Sequence, residues 1–132
     1  MVLHDKSVAD LNSRLKLEDH ADELQFRANF VVASDDNIAA FDEDDWLWMR
    51  VGERTILKYT APCLRCILPN INPVTCKRNP NFEPLRTLKS YRLRQDPKEP
   101  EMGVYFNVQQ MGPIRVGDAI YVQYKNGVES SF

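Results

Sequence analysis

A chain of 132 residues has room for one domain around a single core. Its 43% apolar and 27% charged residues describe a soluble folded protein rather than a disordered segment. A net charge of −2 argues against nucleic acid, because such binding needs a clustered basic face, and the one basic stretch, Arg86 to Arg94, is balanced by acidic residues elsewhere.

No apolar run approaches the roughly 20 residues that cross a bilayer. The first ten residues carry His4, Asp5, Lys6 and Asp10, which is neither a signal nor a transit peptide. Three cysteines without a dense pattern fit a reducing, intracellular setting. Along the chain, Ser7-Val8-Ala9-Asp10 has the form of a capping box, and Val8, Leu11 and Leu15 continue at helical spacing, which predicts a helix from Val8 to about Leu17. The acidic stretch Glu18 to Glu23 reads as an exposed loop. Phe26 to Ala33 reads as a strand with aromatic and β-branched character.

Asp42-Glu43-Asp44-Asp45 has the charge for Ca²⁺ but lacks the Gly and terminal Glu of an EF-hand loop, so a solvated turn is expected. Leu47 to Val51 and Thr55 to Tyr59 flank Gly52-Glu53-Arg54 as a hairpin, with Trp46 and Trp48 on one strand face. Ala61 to Pro84, with three cysteines and little periodicity, reads as a long loop. A second short helix continues through about Tyr91, with Pro84 suited to its first turn. Pro97 and Pro100 break regular structure, and Val104 to Gln110 and Ile114 to Tyr124 close the chain as strands. The expected fold is mainly β (α+β), a small β-barrel or half-barrel with two short peripheral helices.

Chemistry concentrates in Pro62-Cys63-Leu64-Arg65-Cys66-Ile67-Leu68 and Asn72-Pro73-Val74-Thr75-Cys76. Four readings compete. A structural zinc site needs four ligands, and only three cysteines are at hand, with His20 as a distant fourth. A thioredoxin-like pair needs a helix starting at the first thiol, which Pro69 and Pro73 would break. Three buried structural thiols are the plain alternative. The fourth is a thiolate ligand to a soft metal centre, favoured by Arg65 between the two thiols, since a guanidinium stabilises a thiolate and attracts an anionic cofactor. C-x-x-C by itself does not decide among them.

The surrounding segments carry a resemblance. Ala9-Asp10-Leu11-Asn12-Ser13-Arg14-Leu15, Phe26-Arg27-Ala28-Asn29, Asp45-Trp46, Cys63-Leu64-Arg65-Cys66-Ile67-Leu68, Pro73-Val74-Thr75-Cys76, Pro84-Leu85-Arg86-Thr87-Leu88-Lys89-Ser90-Tyr91-Arg92 and Val116-Gly117-Asp118 come one after another in order. Over nearly the whole chain this resembles the MOSC domain of the mitochondrial amidoxime reducing component and its bacterial relatives. The resemblance implies a molybdenum cofactor (molybdopterin), with Cys66 ligating molybdenum through sulfur. It also implies Arg27 and Asn29 at the pterin's phosphate side, and Leu64 and Arg65 in the loop lying against the cofactor. Ala28 stands where the family has proline. Cys76 stands where it has glycine, so left-handed backbone there would be strained.

For function, the resemblance implies an oxidoreductase reducing N-hydroxylated substrates with electrons from a cytochrome b5-type partner. The family vocabulary also includes pyridoxal phosphate binding. Rival readings are a non-catalytic module carrying the cofactor or a persulfide on Cys66, and an inactive truncated isoform. Residues 1–132 correspond to the C-terminal part of the MOSC region, which leads to an expectation of exposed strand edges and self-association. The parent protein could then be mitochondrial.

Overall fold

A computed structural model describes residues 1–127. Its frame is one curled, six-stranded half-barrel sheet in the order β2-β1-β5-β4-β3-β6. The strands are β1 (Val2–His4), β2 (Phe30–Val32), β3 (Trp46–Val51), β4 (Thr55–Leu64), β5 (Glu101–Gln110) and β6 (Ile120–Tyr124). Two helices, α1 (Asp5–Ser13) and α2 (Leu85–Tyr91), complete the mainly β fold expected from the sequence.

The three residues of β1 lie between β2, to which they run parallel, and β5. This strand is absent from the sequence expectation, because three residues show no periodicity. Its side chains are nevertheless fully buried, and alternation sends Val2 to one core and Leu3 to the other. The core on one face of the sheet gathers Val2, Val32, Trp46, Met49, Val51, Leu57 and Val104. On the opposite face, Leu3 and Met102 receive Val8 and Leu11 of α1, Leu88 of α2, and Phe26. Gly103 permits the close approach of β5 to β1: its φ is +76°, and a Cβ there would sit 2.8 Å from the Val2 carbonyl oxygen.

Several expectations are corrected. Helix α1 begins three residues earlier than the capping box predicts, and Ser7 lies inside it. The Ser7 hydroxyl donates to Glu43 Oε2 at 2.8 Å and accepts the Phe41 amide, so a tertiary partner takes the role assigned to a cap. The true capping box is Asp22 with Gln25, in the stretch read as a plain loop. In that stretch Asp19 is buried and accepts from the side-chain amides of Asn79 and Asn81.

The acidic turn Asp42–Asp45 is structural rather than solvated, with Glu43 fully buried. A bulge between Trp46 and Trp48 separates the tryptophans: Trp46 enters the core, and Trp48 is half-buried under Lys58. The first strand of the C-terminal pair starts at Glu101, and the second is only Ile120–Tyr124. Helix α2 matches the expectation, its Thr87 amide donating to Glu83 Oε2 at 2.9 Å. Among the described residues, no helix is long and apolar enough to cross a membrane.

Candidate functional site

The segment read as a long loop begins as strand: β4 runs through Pro62 and Cys63 to Leu64, pairing with β5. Cys63 therefore points from a sheet into the interior, 3% exposed, and its thiol donates to the Tyr105 hydroxyl at 3.2 Å. Tyr105 titrates above its ordinary range, because its phenol shares a hydrogen bond with the Cys63 sulfur, whose negative charge when ionised opposes a phenolate. Three residues on, past the end of the strand, Cys66 is exposed. Since Cys63 sits in a strand, no helix dipole acts on it, and the thioredoxin-like reading loses its physical basis. Among the described residues no three of His, Cys, Asp and Glu converge to hold a metal ion, so the zinc reading has no ligand set.

The rest of the loop is ordered from within. Asn70, buried, donates to the Phe82 carbonyl and accepts the Leu85 amide, which ties the cysteine loop to the start of α2. Asn72 accepts the Val74 and Thr75 amides, forming the turn that carries Cys76. Cys76 has φ +59°, the left-handed conformation that its position predicts to be strained.

Arg65 lies between the two thiols and is 8% exposed. Its Nε donates to the Met102 carbonyl and its Nη1 to the Phe26 carbonyl, both at 2.8 Å, and Nη2 contacts Met1 Sδ. Burial lowers its pKa, since desolvation opposes the charge. Phe26 ends a 3-10 turn, Glu23–Phe26, and Arg27 comes next in the left-handed conformation at φ 56°, a geometry costing a non-glycine residue about 1–2 kcal/mol. The Arg27 side chain is exposed, with no hydrogen-bond or ion-pair partner among the described residues. Two residues later, Asn29 Oδ1 accepts the Met1 amino group at 2.7 Å.

Arg27, Asn29, Leu64, Arg65 and Cys66, drawn from two motifs more than thirty residues apart, line one cavity of about 260 Å³. Gln25 and Tyr105, which the sequence does not single out, also line it. Tyr105 carries only a strand signal, and the β4–β5 register sets it across from Ala61, diagonal to Cys63, where their side chains meet. The cavity thus joins an accessible thiol, an unpartnered guanidinium, and a buried cation without a carboxylate partner among the described residues. Such a set suits an anionic ligand with a soft metal or sulfur end. A larger cavity of about 470 Å³ lies away from the thiols, between β2 and β6, lined by residues such as Val31, Ser34, Trp46 and Val122.

A model of one family, described as the MOSC domain, matches residues 1–121. The chain is 39% identical over 128 residues to mitochondrial amidoxime reducing component 2 of Macaca fascicularis, covering 92% of this chain and 36% of that protein. It is 39% identical over 129 residues to mitochondrial amidoxime-reducing component 1 of Homo sapiens, with the same coverage. The corresponding component 1 of Xenopus laevis is 38% identical, covering 96% of this chain and 37% of that protein. The chain therefore spans little more than a third of the length of these relatives.

Proposed function

This chain belongs to the MOSC domain family, and from that premise we propose that the Cys66 cavity holds a molybdenum cofactor, as part of an oxidoreductase acting on N-hydroxylated substrates. The observation that supports this reading best is the convergence of Arg27, Asn29, Leu64, Arg65 and Cys66 on one cavity. When bound, the cofactor would supply a two-electron reduction in which the substrate's hydroxyl oxygen leaves as water.

The chain's own residues then have separable tasks. Cys66 presents an accessible sulfur, the donor type that molybdenum's thiolate-rich coordination takes. Arg27 offers an unpartnered, planar guanidinium to a phosphate, where paired N–H donors match paired oxygens. Asn29 joins Arg27 on the proposed phosphate side of the same cavity, and Leu64 lines the wall between the thiols. Pyridoxal phosphate fits less well, because among the described residues no lysine lines the cavity to form its Schiff base. The electron donor is proposed to be a cytochrome b5-type protein, as the family resemblance implies, and the parent protein to be mitochondrial, as the relatives' names suggest. Residues 1–132 are proposed to form the C-terminal part of the MOSC region.

The test is metal analysis of protein expressed with the cofactor supplied. Cys66→Ser should lose its molybdenum, because a serine oxygen is a poor substitute for a soft thiolate, whereas Cys63→Ser should retain most of it. Equal loss in the two variants would replace this reading with a paired-thiol site.

A further inference from the structure

Arg65 is the residue whose surroundings fit least well with a simple phosphate contact. The guanidinium sits between the turn that ends at Phe26 and β5, more than nine-tenths buried, and two of its three nitrogens donate to main-chain carbonyls. One carbonyl belongs to Phe26, the residue immediately before the left-handed Arg27. The other belongs to Met102, next to Gly103, where β5 passes β1. The guanidinium also lies 5.4 Å from the Phe26 ring centroid, and the Arg65 amide donates to the Pro100 carbonyl at 2.8 Å. One side chain therefore joins the turn that carries Arg27, the strand that carries Tyr105, and the strand end that carries Cys66.

We propose that Arg65 is a positioning residue, which holds the turn at Arg27 against β5 so that Arg27 and Cys66 keep a fixed spacing across the cavity. The proposal deepens the cofactor reading above and rests on it for the identity of the ligand, but not for the clamp itself. A left-handed arginine is unstable in isolation, and an exposed turn relaxes unless its neighbours over-determine it. The Phe26 carbonyl, held by a charged donor, supplies that constraint one bond away from Arg27. Direct binding of an anion by the same guanidinium would compete with the carbonyls that already occupy its inner edge.

Arg65→Lys keeps the charge and removes the fork that reaches two carbonyls at once. The first readout needs no cofactor. By hydrogen exchange, the amides of Arg27 and Asn29 in the unmodified chain should be protected to the level of β5. In Arg65→Lys they should exchange at least about tenfold faster, while β3 and β4 keep their protection. The second readout is molybdenum content under the expression conditions above. Arg65→Lys should fall to the level of Arg27→Ala, and the double variant should fall no further, since one residue acts through the other.

Rapid exchange at Arg27 and Asn29 in the unmodified chain would overturn the clamp, even if the variant failed to fold. Retention of full molybdenum in Arg65→Lys, with loss in Arg65→Gln, would overturn it in favour of direct attraction by charge. Additive losses in the double variant would do the same. If the unmodified chain binds no molybdenum while the exchange result holds, the cofactor reading fails and the clamp stands.

Discussion

Two buried arginines grip adjacent carbonyls of the same strand, and their surroundings differ. Arg92 donates from Nε to the Glu101 carbonyl at 3.0 Å, lies over the Phe41 ring, and pairs through Nη2 with Asp44 Oδ2 at 2.7 Å. Arg65 donates to the next carbonyl along, that of Met102, but has no carboxylate partner among the described residues. Around Arg92 the charge is closed inside the fold, with Arg94 sharing the same Asp44 oxygen. Around Arg65 it is left open toward a cavity that also holds a thiol. A buried charge neutralised by the protein is architecture. One that spends its donors on main-chain carbonyls beside a cavity ties the walls of that cavity together.

The largest expected effect lies on the closed side. Asp44→Ala strands the Arg92 guanidinium, and both partners are under 10% exposed, so equilibrium denaturation should show a loss of about 3–5 kcal/mol. A loss below about 1 kcal/mol would erase the contrast between the two arginines.

Next comes pH. Burial pushes the Glu43 carboxyl up to about 7, against hydrogen bonds from Ser7 and from the His4 amide that favour the charged form. Its folded value lies above the ordinary value of 4.5, so the native state holds the proton more tightly than the unfolded chain. The contribution is complete below about 4.5 and is lost as pH rises through about 7, on the order of 3 kcal/mol. Denaturation midpoints should therefore fall across that window, and Glu43→Gln should flatten the dependence. A variant with an unaltered slope would move its origin elsewhere.

The smallest effect on stability should be at the open side. Arg27→Ala removes an exposed, unpartnered side chain and should change unfolding free energy by no more than about 0.5 kcal/mol, while molybdenum retention falls. If the cofactor-free variant loses much of its thermal stability, Arg27 belongs to the fold and the contrast narrows to Arg65 alone.

How much of this was legible in the chain depends on the range of the interaction involved. The hairpin of β3 and β4 is local, with alternating residues around Gly52, and it reads directly. Helix α2 likewise comes from Pro84 and a short periodic run. The helix start at Ser7 misreads because a hydroxyl and an acid three residues apart look alike whether they cap each other or not. The structure gives Ser7 to Glu43, thirty-six residues away. Strand β1 is too short to show periodicity, yet its burial on both faces makes it central.

The site divides in the same way. The chemistry of its donors was legible in the sequence: a thiol pair around an arginine, and the Phe26 to Asn29 motif, each read with its neighbours. That level is decided by residue type and by order along the chain, which tertiary folding does not alter. Tertiary structure decided which thiol is accessible, which arginine is free, and that the two motifs share a cavity. Those outcomes depend on strand register and on which carbonyls a guanidinium meets. Both are set by contacts between residues far apart in the chain, and no local pattern encodes them.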